Sequence, residues 1–147
     1  MKFWDSSAVV PLIVEEPATK VIDGIFRADP VILVWWATDT ECVSALCRLE
    51  RERALTTTQA SSALARLQQL RHGWHEVQAV EAVRRTAHRL LRTHALRAGG
   101  SLQLAAALVA SEGDASTLEM VTLDDRLREA AEREGLVIVE TSDASQA

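Results

Sequence analysis

The apolar run Val31-Ile32-Leu33-Val34-Trp35-Trp36 constrains the fold of this chain more than any other segment. It is continuous and rich in β-branched residues, which is typical of a parallel strand with both faces buried. Such a strand needs a layer of helices on each side. Shorter strand-like segments at 2–4, 74–79, 118–122 and 136–139 alternate with helical patterns. The sequence therefore predicts an α/β fold, a parallel β-sheet flanked by helices on both faces.

Helical periodicity fills the stretches between these strands. A helix at 101–112 is apolar nearly all round, which predicts a position in the middle of the protein. Two other predicted helices, at 38–53 and 56–73, are joined by a short turn, which predicts an inserted helical hairpin. The predicted helices span 6–15, 18–28, 38–53, 56–73, 80–93, 101–112 and 124–135.

Length and composition argue against a disordered, collagen-like, disulfide-stabilised or membrane-spanning chain. With 147 residues, 48% hydrophobic and 25% charged, the chain suits one globular domain, predicted at 1–140 with a flexible tail at 141–147. No apolar run approaches the roughly 20 residues of a membrane span, and the first residues lack a signal-peptide pattern. We expect a cytoplasmic protein that does not enter the membrane.

Charge and metal-ligand spacing narrow the function further. A net charge of −5 argues against nucleic-acid binding by general phosphate neutralisation, so any RNA contact must be local or through a metal. Cys42 and Cys47 lie five apart in one predicted helix and have no ligand companions, which predicts reduced core residues. The four histidines do not show zinc-site spacing.

Three carboxylates fall where predicted strands give way to helices. Asp5 follows the first strand, Glu41 lies in the first helical turn after the second, and Asp124 stands just past Thr122. In a parallel sheet all three meet at one edge, where ligands of open α/β sheets bind. Hard oxygen ligands of this kind suit Mg²⁺ or Mn²⁺, which can activate a water and stabilise charge on a phosphodiester.

Helix capping offers a structural alternative for each of these acids. Asp5 and Asp124 are good N-cap residues. Thr38 with Glu41, and Thr122 with Asp125, each fit the spacing of a capping box. The functional interpretation therefore depends on the acids being together.

Four motifs in this order resemble a known family over nearly the whole chain. They are Asp5-Ser6-Ser7-Ala8, the early Glu41, Leu96-Arg97-Ala98 leading into Leu102-Gln103-Leu104-Ala105-Ala106-Ala107-Leu108, and Val121-Thr122-Leu123-Asp124. The chain resembles PIN domains, in particular the VapC-type toxin ribonucleases of toxin–antitoxin pairs. The resemblance implies a Mg²⁺- or Mn²⁺-dependent endoribonuclease that cleaves structured RNA such as tRNA or rRNA, is inhibited by a VapB-like antitoxin, and forms a homodimer.

The resemblance also implies roles for single residues. Asp5, Glu41 and Asp124 are the expected catalytic and metal-site acids. Ser6 and Thr122 are hydroxyl neighbours that orient them, and Asp125 is a further supporting residue.

One position departs from the family pattern. The family usually carries an Asp at the start of the central helix, in Leu-Arg-Ala-x-Asp-Ala-Leu, and Gly100 stands there in this chain. A natural inactive or weakened enzyme, a deliberate inactivation and a spontaneous loss of a toxic activity would each account for it. The local alternative is a flexible Gly99-Gly100 turn before a helix that Ser101 caps.

Two sets of residues are predicted at the surface. Arg97, Arg89 and Arg92 are candidates for binding the RNA backbone, with a solvated helix face as the alternative. Trp35 and Trp36 cannot both point to one face of the sheet, so one should be exposed. That surface, with hairpin residues Leu64 and Leu67, is the candidate antitoxin interface; the named set is Trp36, Leu64 and Leu67.

Other functions fit less well. A receiver domain needs paired acids after the first strand and a lysine after the last, and an Asp-x-Asp phosphatase fails because Ser6-Ser7 follows Asp5. The remaining alternative is a catalytically inactive PIN-fold protein that binds RNA or antitoxin without cleavage.

Overall fold

The computed structural model describes residues 1–142. Residues 143–147, most of the predicted tail, lie outside the described part of the chain. Five strands form one sheet in which every pairing is parallel, as predicted. They are β1 (Lys2–Trp4), β2 (Ile32–Trp35), β3 (His75–Val77), β4 (Glu119–Val121) and β5 (Val137–Ile138).

Seven α-helices, counted within residues 1–142, fill the connections between strands. They are α1 (Ser6–Ile13), α2 (Thr19–Ala28), α3 (Thr38–Arg51), α4 (Thr57–Gly73), α5 (Glu81–Thr93), α6 (Ala98–Ala110) and α7 (Asp125–Arg133). A short 3-10 turn at Ala115–Thr117 precedes β4. None of the helices in this part of the chain has the length and apolar character needed to cross a bilayer.

The strand order is β3-β2-β1-β4-β5, so β1 lies at the centre of the sheet. From β1 the chain builds outward through β2 and β3, then returns to the other side of β1 for β4 and β5. The direction of winding therefore reverses between β1 and β4. In open α/β sheets such a switch point opens a crevice at the carboxyl ends of the strands.

Two hydrophobic cores cover the two faces of the sheet, as the run at 31–36 predicted. Along β1, Phe3 joins one core and Trp4 the other, because successive side chains of a strand point to opposite faces. Helices α1 to α4 pack on the Trp4 side and α5 to α7 on the Phe3 side.

The predicted helical hairpin is confirmed as α3 and α4, which pack against each other. A capping box fixes the start of α4: Gln59 N donates to Thr56 Oγ1 over 3.1 Å, and Thr56 N donates to Gln59 Oε1 over 2.9 Å. Leu67 is 2% exposed and belongs to the core. It is therefore not part of an exposed antitoxin interface, contrary to the prediction.

The central helix α6 is as buried as predicted but begins three residues earlier. Gly99 and Gly100 lie inside its first turn, so the predicted flexible turn is wrong. Arg97 is the N-cap residue, and Ser101 N donates to Arg97 O over 2.9 Å. Ser101 does not cap the helix, because its hydroxyl donates to Ala98 O within the first turn.

Neither of the two proposed capping boxes beside the acids forms. Ala37, not Thr38, is the N-cap residue of α3, and no side chain caps that end. Asp124, not Thr122, caps α7, so Asp125 has no capping-box partner. The predictions that Asp5 and Asp124 are N-caps are confirmed.

Burial also bears on the predictions for the tryptophan pair, the two cysteines and the tail. Trp35 is 5% exposed and Trp36 is 54% exposed, which confirms that the pair divides between core and surface. Cys42 is buried and Cys47 partly buried, and both are free thiols. Thr141, at the start of the predicted tail, is buried and accepts a hydrogen bond from Arg128 Nη2 over 2.6 Å.

Candidate metal centre at the carboxyl ends of the strands

An open cavity of about 770 Å³ lies at the carboxyl ends of β1, β2 and β4. Asp5, Glu41 and Asp124, three acids from distant parts of the sequence, line it together with a fourth acid, Glu16. We call it the acidic cavity. Its remaining lining residues are Ser6, Ser7, Val10, Ala37, Thr40, Ser44, Ala45, Arg48, Leu49, Gly99, Gly100, Gln103, Leu123 and Leu127.

Asp5 is the most deeply placed of the acids, with 4% of its surface exposed. Its Oδ2 accepts from Ser7 N over 3.2 Å and its Oδ1 accepts from Ser7 Oγ over 2.7 Å. Burial raises the pKa of Asp5 from 3.8 to about 6; hydrogen bonds from Ser7 and Thr122 act against this rise, and the charge of Asp124 adds to it. The site therefore holds one carboxylate whose charge is incompletely solvated.

Ser7 joins the loops that carry Asp5 and Asp124. While its hydroxyl donates to Asp5, it accepts from Leu123 N, in the other loop, over 2.9 Å. Thr122 Oγ1 lies 3.4 Å from the Ser7 hydroxyl and accepts from Asp124 N over 3.1 Å. These contacts fix the relative position of the two acid-bearing loops.

Asp124 is exposed, although it lines the same cavity. Its Oδ1 accepts from Arg126 N over 3.0 Å and from Leu127 N over 3.1 Å, which satisfies two free N–H groups at the start of α7. Both hydrogen bonds are therefore accepted by the same carboxylate oxygen. The other oxygen, Oδ2, accepts no hydrogen bond from the described residues.

Glu41 is held by side chains from two other elements. Ser6 Oγ donates to Glu41 Oε2 over 2.9 Å, and Gln103 Nε2 lies 3.3 and 3.4 Å from the two carboxylate oxygens. Gln103 is 2% exposed and also donates to Thr38 Oγ1 over 3.0 Å. Its Oε1 is buried and has no hydrogen-bond partner within residues 1–142. Glu41 thus depends on the central helix for its orientation.

Gly100 lines the cavity in the first turn of α6. A Cβ atom there would meet only Leu96 Cδ2, at the ordinary contact distance of 3.6 Å. A side chain therefore fits at this position, and an acid near a helix N-terminus is electrostatically favourable. The structure has room for the carboxylate that the family pattern places there.

The donor chemistry of the acidic cavity suits Mg²⁺ rather than zinc. Its candidate ligand atoms are the oxygens of carboxylate and hydroxyl side chains, and Mg²⁺ takes one or two carboxylates while keeping several waters. No three His, Cys, Asp or Glu side chains form a ready metal-binding group anywhere in residues 1–142. Asp5 and Asp124 are close enough to interact electrostatically, and Glu41 reaches the site beside Ser6. The residues fit a weakly coordinated, largely hydrated ion.

The arginines predicted to bind RNA do not line the acidic cavity. Arg89 Nη2 lies 2.6 Å from Glu134 Oε1, beside a second cavity of about 380 Å³, and this contact is the main reason why the pKa of Glu134 is lowered. Arg92 and Arg97 are exposed, the latter at the N-cap of α6. Asp125, the predicted supporting acid, is exposed in the first turn of α7 and is also absent from the cavity lining.

Of the candidate antitoxin interface, only Trp36 presents a large exposed surface. Leu64 is partly buried against the core that contains Leu67. The exposed apolar surface near the end of β2 is therefore smaller than the sequence predicted.

Several polar residues of the cavity had no role predicted from the sequence, among them Ser7, Gln103, Glu16 and Arg48. Ser7 and Gln103 occurred only within quoted motifs, although the first orients Asp5 and the second orients Glu41. Gln103 carried a usable signal, since it is a polar residue in a helix that is otherwise apolar. Glu16 and Arg48 gave no such signal, because their positions depend on how α1 and α3 pack together.

Comparison with solved structures places the same fold in several proteins. FitAcB from Neisseria gonorrhoeae matches with a TM-score of 0.65 and 13% identity, over 96% of this chain and 98% of that chain. A toxin–antitoxin complex from Klebsiella pneumoniae matches with a TM-score of 0.65 and 12% identity, over 97% and 99%. PAE2754 from Pyrobaculum aerophilum matches with a TM-score of 0.64 and 22% identity, over 95% and 84%.

No protein-family model and no curated protein sequence matches the chain. At these identities the structural likeness concerns the fold. The predicted α/β fold, a parallel sheet flanked by helices, is confirmed, and these proteins share it.

Proposed function

We propose that this chain is the toxin component of a toxin–antitoxin pair and acts as a metal-dependent endoribonuclease on structured RNA such as tRNA or rRNA. The observation that carries the proposal is the meeting of Asp5, Glu41 and Asp124 in one open cavity. The toxin role is supported by the fold, which is shared with a protein solved as a toxin–antitoxin complex. A VapB-like antitoxin, a homodimeric state and a cytoplasmic location belong to the same proposal.

Asp5 and Asp124 would hold a Mg²⁺ or Mn²⁺ ion, with Glu41 beside them. When bound, the ion supplies a Lewis acid that lowers the pKa of a water and neutralises charge on the phosphodiester. In a chain whose net charge is −5, these acids would repel RNA less once such an ion were held between them.

The chain's own residues position this chemistry. Ser7 keeps the Asp5 carboxylate facing the cavity and fixes it to the loop of Asp124. Ser6 and Gln103 hold Glu41, the third acid, in one orientation. Such fixed donors and acceptors spare the site reorganisation during the reaction.

A second candidate function has its own support. Gly100 leaves the cavity without the acid that the family pattern places at the start of the central helix, and residues 1–142 contain no group of three potential metal ligands. A catalytically inactive PIN-fold protein that binds RNA or antitoxin would need neither. The two functions differ in whether divalent metal promotes cleavage.

Restoring the missing acid tests the proposal. Gly100→Asp should raise metal-dependent RNA cleavage severalfold or more, because one more carboxylate ligand makes the site bind the ion more tightly. Cleavage of a labelled tRNA would be followed with Mg²⁺, with Mn²⁺ and with EDTA, alongside Mn²⁺ binding by calorimetry. Gly99→Asp is the matched control, since Gly99 also lines the cavity and has open space around its Cβ position.

For the proposal to hold, Gly100→Asp and Gly99→Asp must differ in Mn²⁺ affinity and in RNA cleavage. We expect Gly100→Asp to exceed Gly99→Asp in both Mn²⁺ affinity and cleavage, and EDTA to abolish cleavage in every variant. RNA binding without cleavage in the wild type and in Gly100→Asp, with or without metal, would establish the inactive alternative instead.

A further inference from the structure

Arg48 is a cation placed in a cavity that is otherwise acidic. Among the residues that the structure describes, it is the only lysine or arginine in the lining of the acidic cavity. Four carboxylates line the same space, those of Asp5, Glu16, Glu41 and Asp124. An incoming phosphate group would meet a net negative wall everywhere except at this guanidinium.

The guanidinium of Arg48 makes no side-chain hydrogen bond to any of residues 1–142. It forms no ion pair with any residue in 1–142, whereas Arg27, Arg71, Arg84, Arg89 and Arg133 each pair with a carboxylate. Its side chain is exposed in the last turn of α3. The charge is therefore available to an anion from outside.

Two hydroxyl residues share the face of α3 that carries Arg48. Thr40 and Ser44 precede it at intervals of four, are exposed, and line the same cavity. Residues four apart lie on one helix face and are separated by about 6 Å along the axis. We call Thr40, Ser44 and Arg48 the polar stripe; it starts beside Glu41 and runs toward the C-terminal end of α3.

We propose that the polar stripe binds the phosphate backbone of a single-stranded RNA segment next to the bond to be cleaved. Hydroxyl and guanidinium groups are the side chains that commonly contact phosphate oxygens. Their order places the positive charge about 10 Å along the axis from Glu41, beyond the expected metal. This inference rests on the proposed function and specifies how the same site would take its substrate.

Fluorescence anisotropy with a short, labelled oligouridylate in Mg²⁺ tests the proposal, with RNA integrity checked on a gel. Arg48→Ala should weaken binding roughly three- to tenfold and flatten the slope of log affinity against log salt concentration by about 0.7. Arg48→Lys should keep most of the slope, because it keeps the charge. Arg51→Ala is the matched control: Arg51 is an exposed arginine in the same helical turn that does not line the cavity.

Each outcome decides between the interpretations. Equal losses in Arg48→Ala and Arg51→Ala, or no change in either, would overturn the stripe as a binding site. If the wild-type protein binds the oligouridylate through Arg48 but never cleaves RNA, the proposed nuclease activity is refuted, while the polar stripe is supported as an RNA-binding site. In an active protein, Arg48→Ala should raise KM for RNA while kcat changes less than twofold; the reverse pattern would also overturn the proposal.

Discussion

Asp5 and Asp124 arise from the same sequence signal and end in different environments. Each follows a strand of the sheet and caps the helix that comes next, by accepting hydrogen bonds from backbone N–H groups. Yet Asp5 is 4% exposed and Asp124 is exposed. Capping therefore explains where both acids stand and does not determine how well either is solvated.

The position of each strand in the sheet accounts for the difference. β1 lies at the centre of the sheet, and Asp5 follows it directly, with its backbone N–H donating to Val121 O of β4 over 3.3 Å. β4 lies one strand further out, with only β5 beyond, and Asp124 stands three residues past its end. One acid consequently has a pKa of about 6, chiefly because of its burial. Two carboxylates of one type can in this way be solvated very differently within one site.

The largest expected effect comes from removing the buried charge. The pKa of Asp5 is raised from 3.8 to about 6 by folding, so its contribution to stability is fully present below about pH 4 and is lost as the pH rises through 6. Asp5→Asn keeps the shape and removes the charge; its single acceptor oxygen can keep the N-cap bond from Ser7 N but not the second bond, from Ser7 Oγ. In EDTA at pH 8 it should raise the free energy of unfolding by about 2 kcal/mol. Urea unfolding at pH 4 and pH 8 measures this.

At pH 4 the same substitution should change stability little, because Asp5 is then protonated in the wild type as well. A stabilisation that is equal at both pH values would contradict the role assigned to the buried charge. RNA cleavage by Asp5→Asn should fall to background even though the fold is more stable, since the ion would lose its most central ligand.

Ser7→Ala would break the link between the two acid-bearing loops. The serine hydroxyl donates to Asp5 and accepts from Leu123 N, so its loss removes a hydrogen bond to a charged group and leaves a backbone N–H unpaired. We expect destabilisation of about 1.5 kcal/mol at pH 8 and less at pH 4, where Asp5 is neutral. Thermal unfolding across this pH range measures the effect.

Ser6→Ala is the matched control for Ser7→Ala. Ser6 is a neighbouring serine whose hydroxyl donates to Glu41 instead. Its loss should cost less than about 1 kcal/mol, without dependence on the protonation of Asp5. If both serine variants lost stability equally at every pH, Ser7 would not be the connection between the loops.

Gln103→Leu extends the comparison to the third acid, which is held by side chains rather than by a cap. The variant loses the donors to Glu41 and Thr38, but it also removes the buried Oε1 that has no partner among residues 1–142. These effects oppose each other, so stability should change by less than about 1 kcal/mol. Calorimetry should nevertheless show weaker Mn²⁺ binding, because Glu41 is free to turn away. Unchanged Mn²⁺ affinity would limit Gln103 to a packing role.

The fold was predictable because its signals are local and agree with one another. The run at 31–36 required two helical layers, and the all-round apolar helix required a central position; both are present. The predicted start of α6 was wrong because two consecutive glycines, Gly99 and Gly100, favour a turn over a helix. In the structure the rest of the helix extends through them.

The site was predictable only in part, for a physical reason. Acids at strand ends share an edge in any parallel sheet, so Asp5, Glu41 and Asp124 could be grouped before the strand order was known. The contacts that orient them are long-range: Ser7 meets Leu123, and Gln103 meets Glu41, across intervals of 116 and 62 residues. Such pairings depend on tertiary packing, and nothing in the local sequence specifies them.

The smallest expected effect on stability comes from Asp124→Asn, the counterpart of the first prediction. Asparagine caps helices about as well as aspartate, and the Asp124 side chain is exposed, so its charge carries little desolvation cost. The free energy of unfolding in EDTA should change by less than about 0.5 kcal/mol at both pH 4 and pH 8. Asp124→Ala, which lacks the cap, should lose about 1 kcal/mol at both. A pH-dependent stabilisation as large as that of Asp5→Asn would show that the two acids share one environment in solution, and the contrast between the central and outer loops would then have no energetic meaning.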